Sequence, residues 1–182
     1  MSDFESGNME MITLKTVLGV LMWTLLVACA AAPPTDDADR KAKVEQMYAA
    51  VKADIKGVED IAAKEVMEKL KTGEFVLLDV RSAKEMEVSR IPGAIEAKEF
   101  LDDRGKYKDK TVVAYCTIGY RSGKFAQQMQ RQGIVVKNLQ AGLLGWTYAG
   151  GALTDPAGRQ TNKLHLFGPD WNLAPKGYAG VW

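Results

Sequence analysis

Histidine and cysteine are scarce in this chain. Of 182 residues, one is histidine, His165, and two are cysteine, Cys29 and Cys116. A zinc site takes four nitrogen or sulfur ligands, or three and a water, so a Cys/His zinc centre is excluded and no metal is expected. At most one bridge could form, which excludes a disulfide scaffold. An excess of either charge is missing as well: 24 basic residues face 23 acidic ones, a net charge of +1. Without a basic excess nothing steers a phosphate backbone toward the protein, and nucleic acid is not an expected partner. No internal repeat or low-complexity tract occurs. Hydrophobic residues make up 47% and charged residues 26%. That composition supports a packed core, and the length fits one domain with a tail.

One long uncharged run is built almost wholly of apolar and small residues. Residues 16–32 read TVLGVLMWTLLVACAAA, preceded by Lys15 and ending in small residues. A basic flank, an apolar stretch and a small-residue end make a secretory signal, and the run is short for a membrane span of about 20 residues. The acidic opening MSDFESGNME fits a signal poorly, so translation is expected to begin at Met9 or Met11. Within the run, Leu26-Val27-Ala28-Cys29 resembles a bacterial lipobox. That resemblance implies removal of residues 1–28 and lipidation of the Cys29 sulfur, with acyl chains as the membrane anchor. Cleavage after Ala30 or Ala32 with plain secretion, or an uncleaved anchor, are the alternatives. Ala30 follows the cysteine where an Asp would signal inner-membrane retention. The expected location is therefore the bacterial cell envelope, lipid-anchored on the periplasmic face of the outer membrane, or else soluble in the periplasm.

The remainder divides by pattern. Residues 29–40, small, polar and Pro-containing, read as a flexible tether. Over 41–57, Val44, Met47, Tyr48, Val51 and Ile55 follow a helical period that Gly57 ends. Asp60 is a candidate cap for a helix to Leu70. Residues 75–80 (FVLLDV), 111–116 (TVVAYC) and 134–139 (IVVKNL) are apolar runs of strand length. The first two suit parallel strands buried on both faces. Helical segments are expected near 84–88, 99–103, 122–132 and 143–148. The alternation predicts an α/β domain over 58–153, a parallel sheet flanked by helices on both faces. Residues 154–182 carry Phe167, Trp171, Tyr178 and Trp182 among Pro and Gly. This extension reads as a strap packed on the domain, with a lid over the site as the alternative. His165 reads as structural, having no Asp or Cys partner nearby in sequence.

The chemistry concentrates at Cys116-Thr117-Ile118-Gly119-Tyr120-Arg121-Ser122. Cys116 ends a predicted buried strand and Ser122 opens a predicted helix. In parallel sheets, ligand sites lie at the carboxyl ends of strands. A loop entering a helix offers unpaired N–H groups and the positive end of a dipole, which favour an anion. A cysteine held there is expected to be partly thiolate near neutrality. Gly119 lets the loop curl, and Arg121 adds positive charge. The competing reading is Cys116 as a small buried hydrophobe.

These features, with Leu78-Asp79-Val80-Arg81, Ile91-Pro92-Gly93-Ala94 and Leu139-Gln140-Ala141-Gly142 in the same order, resemble the single-domain rhodanese family of sulfurtransferases. The resemblance implies a rhodanese-like fold with Cys116 as the nucleophile that carries sulfur as a persulfide. It also implies that Thr117, Ile118, Gly119, Tyr120 and Arg121 line the sulfur, with Arg121 favouring an anionic donor. Asp79, Arg81 and Ser122 are supporting residues and not reacting groups, and for the first two an ion pair holding the sheet end is the favoured reading. Donor and acceptor would be small molecules or proteins, and the chemistry calls for no cofactor. Two positions depart from the family pattern: Arg90 before Ile91-Pro92, and Ala141 where Gly is common. Phosphatase or arsenate reductase chemistry is a less favoured implication, since four residues separate Cys116 from Arg121 and the related phosphatases have five. A non-enzymatic sulfur carrier or sulfide-binding module is the other alternative.

Overall fold

The computed structural model describes residues 36–182. The segment expected to be a signal, and Cys29, lie outside these residues. No helix among those described is long and apolar enough to cross a membrane.

Helix α1 (Asp37–Asp54) opens the described chain. Its start corrects the expected tether over 29–40. The Asp36 side chain accepts from Asp39 N–H and caps the helix, so residues 37–40 are already helical. The other end stops at Asp54, short of Gly57. Strand β1 (Asp60–Ile61) follows, then α2 (Ala63–Leu70). Asp60 is therefore a strand residue. The cap position of α2 is Ala62, which makes no side-chain cap bond. Next come β2 (Phe75–Asp79), α3 (Ala83–Val88), β3 (Ile95–Glu96) and α4 (Ala97–Asp102). Strand β4 (Thr111–Tyr115), α5 (Tyr120–Gln130), β5 (Lys137–Leu139) and α6 (Gly142–Tyr148) complete the α/β unit.

The five strands form one parallel sheet in the order β1-β5-β4-β2-β3. Period-two alternation explains its two faces. On β2, Phe75 and Leu77 point into one core while Val76 and Leu78 point into the other. On β4, Val113 and Tyr115 join the first, Val112 and Ala114 the second. The first core is covered by α1, α2 and α6 through Tyr48, Val66, Leu143 and Leu144. The second is covered by α4 and α5 through Phe100, Ala126 and Met129. Helices thus lie on both faces, as the alternation predicts.

The extension adds an antiparallel pair, β6 (Leu153–Thr154) with β7 (Gln160–Thr161), and a parallel pair, β8 (Lys163–His165) with β9 (Ala179–Val181). Leu164, Leu166, Leu173 and Ala174 bury themselves in the first core. Strand β8 lies along α3. The Lys176 amide donates to the Asp37 carboxylate at 2.9 Å, so the extension also ties to the start of α1.

Candidate active site

Cys116 stands one residue past β4, and its side chain is almost wholly covered, with 1% of the residue exposed. The chain then curls through Thr117 and Ile118, both buried, to Gly119, whose φ of +97° begins α5. A side chain at Gly119 would be strained at that φ, and its Cβ would lie 2.7 Å from the Tyr48 ring. The curl brings the Gly119 N–H to 3.2 Å from the Cys116 Sγ. Helix α5 opens at Tyr120, two residues before the expected Ser122, so Ser122 lies in its first turn.

A second helix end fixes the same loop. The Leu143 amide donates to the Cys116 carbonyl at 2.8 Å, and the Leu144 amide to that of Thr117 at 3.1 Å. These are first-turn donors of α6, which have no partner inside their own helix. The approach needs Gly142, because a Cβ there would sit 2.3 Å from the Cys116 oxygen. Beside it, Ala141 adopts φ +55°, the left-handed region that the family's more usual glycine enters freely.

Arg121 is not the free cation that the loop pattern implies. Its guanidinium forks onto Glu85, with Nη1 to Oε2 at 2.7 Å and Nη2 to Oε1 at 2.6 Å. Such two-pronged pairs are strong and directional. Glu85 also closes the N-terminal cap of α3: it accepts from the Ser82 amide at 3.0 Å and the Ser82 hydroxyl at 2.8 Å. Thr117 Oγ1 is 3.3 Å from the same carboxylate. Phe167 of the extension lies over the guanidinium, 5.2 Å from ring centre to Cζ, with Trp171 edge-on behind it. Phe167 and Tyr120 keep 51% and 43% of their surface exposed, leaving apolar surface beside the loop.

Burial by itself pushes the Glu85 carboxyl up, but hydrogen bonds from Arg121 and Ser82 outweigh it and hold the group at about 2, against an ordinary 4.5. A carboxylate lowered in the folded state contributes stability above its ordinary value and loses it as pH falls through the folded value. Urea unfolding is therefore expected to show stability falling between about pH 5 and pH 2, with Glu85→Gln flattening that fall. Equal slopes in the two proteins would remove Glu85 as the source.

Asp79 and Arg81 form a buried ion pair next to the loop, with side-chain exposures of 1% and 0%. Arg81 Nη2 donates to Asp79 at 2.7 Å and to the Ser89 carbonyl at 2.6 Å. The Tyr115 hydroxyl donates to Asp79 at 2.6 Å. The pair thus anchors the residue before Cys116 and does not reach the sulfur through any of these bonds. Ser122 does approach it, with Oγ 3.6 Å from Sγ.

Several neighbours escape a reading of the sequence. Glu85 is 31 residues from Cys116, and its only local signal is the Ser82-x-x-Glu85 capping pattern. Tyr48 and Asn138 give no signal beyond their hydrophobic and strand periods. His165 is 8% exposed and brought by β8 to α3. Neither of its ring nitrogens has a hydrogen-bond partner among the described residues. Burial pushes its pKa down, and Glu85, Lys84, Arg81 and Arg121 are the charges acting on it.

Comparison with known proteins fits this geometry. The model of the rhodanese-like domain family matches residues 62–149. The chain is 35% identical over 71 residues to a tRNA sulfurtransferase of Desulfurococcus amylolyticus, covering 39% of this chain and 14% of that protein. It is 35% identical over 82 residues to a tRNA uridine(34) hydroxylase of Streptococcus suis, covering 40% and 25%. A crystal structure of thiosulfate sulfurtransferase from Pseudomonas aeruginosa aligns with TM-score 0.50 and 28% identity, over 68% of this chain and 24% of the other. The chain spans a quarter or less of each of these relatives. Tyr48 on one side and Phe167 on the other come from outside the matched segment. Residues 62–149 are a rhodanese-like domain, set between an N-terminal helix and a C-terminal extension.

Proposed function

We propose that the protein is a sulfurtransferase that moves a sulfane sulfur from thiosulfate or a persulfide donor to a thiophilic acceptor through Cys116. The observation that carries this reading is the Gly119 N–H donating to the Cys116 Sγ inside a loop that four residues close on Arg121. In the first step the Cys116 thiolate attacks the outer sulfur of the donor. A new S–S bond forms, and the donor's own bond to that sulfur breaks. Sulfite, or a thiolate from a persulfide donor, leaves with the electron pair. In the second step cyanide or a thiolate acceptor attacks the outer sulfur, and the Cys116 thiolate is released. This is two-step nucleophilic catalysis, and the loop amide is a preset donor toward the sulfur. Because Arg121 is paired with Glu85, the loop offers an anionic donor little net charge. Its contribution is shape and amide hydrogen bonding.

The related sulfurtransferases support the transfer reading, and a sulfur-binding role without turnover is the second reading. Purified protein is expected to consume thiosulfate in the presence of cyanide, to gain the mass of one sulfur at Cys116, and to leave aryl phosphates intact. An adduct without turnover would favour the carrier role. Phosphatase turnover without sulfur transfer would reverse the assignment.

Placement in the bacterial envelope belongs to the same proposal and rests on the uncharged run 16–32 and Cys29. The wild-type chain is expected in the membrane fraction with lipid on Cys29, and Cys29→Ser is expected without it. Soluble wild-type protein beginning at Ala31 would mean plain secretion.

A further inference from the structure

Of the six residues from Cys116 to Arg121, the first four are buried, Tyr120 is exposed and Arg121 is half-buried. The loop surface that solvent can touch is therefore that of Tyr120 and Arg121. Arg121 has little of its own left to offer. Glu85 takes both terminal nitrogens of the guanidinium, and the Phe167 ring lies over its face. A molecule that comes to the loop meets two aromatic rings and a charge already answered. Lys124 adds a cation over the Tyr120 ring, 5.4 Å from its centre, while its Nζ donates to the Asp54 carbonyl at 2.9 Å.

Phe167 is held out rather than left loose. Leu164 and Leu166 before it, and Leu173 and Ala174 after it, are buried in the first core. The Leu166 amide donates to the Val181 carbonyl at 2.7 Å, and Trp171 packs edge-on against the ring at 5.3 Å. The extension thus fixes an aromatic ring beside the loop with about half of it in water. Contiguous apolar surface of this kind marks a place where a ligand sits. Its size suits a small molecule. An aromatic side chain carries roughly 200 Å², and about half of Tyr120 and of Phe167 is free. Together they offer on the order of 200 Å², against about 800 Å² that each partner gives to a stable protein complex.

We infer that Phe167 is a specificity-determining residue, and that the sulfur donor it selects is a low-molecular-weight organic persulfide with an apolar or aromatic body. Thiosulfate, a dianion with no such body, is the poorer donor. The donor's reaction rests on the proposed transfer. The Cys116 thiolate bonds to the outer sulfur, which keeps its proton, and the organic thiolate leaves with the electron pair of the broken S–S bond.

The test compares alkylation of Cys116 in the full chain by N-benzyliodoacetamide and by iodoacetamide, read on the Cys116 peptide by mass spectrometry. The two reagents share a reacting carbon and differ in the ring. Relative to N-acetylcysteine, Cys116 should favour the benzyl reagent about five- to tenfold, the worth of one aromatic contact. Phe167→Ala should bring that preference within about twofold of N-acetylcysteine. A wild-type preference no greater than that of N-acetylcysteine would overturn the inference without any variant. A preference that folded Phe167→Ala retains would take the role from Phe167. With donors, the ratio of kcat/KM for benzyl persulfide to that for thiosulfate should fall about tenfold in Phe167→Ala. A donor ratio equal in the two proteins would refute the inference and leave sulfur transfer standing. A chain that favours the benzyl reagent through Phe167 yet transfers from neither donor would refute the proposed function and leave Phe167 as the selecting contact.

Discussion

Cys116→Ser is expected to lose sulfur transfer by roughly 10³-fold or more while remaining folded. The replacement is nearly isosteric, and the position is 1% exposed, so the loop geometry has little reason to move. What changes is chemistry. A thiolate forms readily and attacks sulfur, whereas a serine hydroxyl stays protonated without an adjacent base. The one imidazole, His165, is not such a base in this arrangement: the groups acting on it are those of the Arg121 side, and burial disfavours its charged form. The variant should gain no sulfur mass after thiosulfate treatment. Transfer that survives within about tenfold of wild type would place the sulfur elsewhere and refute Cys116 as its carrier.

Asp79→Ala should destabilise the protein by about 3–5 kcal/mol, the cost of leaving a buried partner charge uncompensated. Arg81 would lose its counter-charge with its side chain wholly inaccessible, and the Tyr115 hydroxyl would lose its acceptor. Tyr115 also accepts from the Ile91 amide at 3.2 Å, so the loss reaches the turn after α3. Replacing both charges by apolar residues of similar volume, Asp79→Leu with Arg81→Met, should cost less than the single change, because no charge is then stranded. Urea unfolding measures both. A single-variant loss below about 1 kcal/mol would mean that water or a neighbouring group compensates Arg81.

The fold was legible where burial is continuous. Strands β2 and β4 are apolar on both faces, and no solvated surface strand would be. It was less legible where elements are short. The two residues of β1 carry no period, and Asp60 there resembles a helix cap until its pairing with Asn138 is known. The third strand begins at Lys137, not Ile134, because only residues 137–139 find partners in β4 and β1, and Val135 is 68% exposed. The site divides in the same way. Cys116 to Ser122 is contiguous, so its chemistry could be read along the chain. The groups that pair with Arg121 and Ser122, Glu85 and Asn138, are distant in sequence, and residue type alone does not announce them. Arg121 shows the consequence: a loop cation on paper, a paired one in space.

Oxidation draws a different consequence from the covering of Cys116. Among the described residues it is the free cysteine, and the chain's other cysteine, Cys29, belongs to the segment expected to be lipidated. A sulfenic acid at Cys116 has no second thiol within residues 36–182 with which to condense. Its rescue must come from a thiol outside those residues, and without one the next oxidation step is irreversible. Close cover over the sulfur slows the entry of peroxide, but it equally narrows the path by which a rescuing thiol can reach the damaged atom.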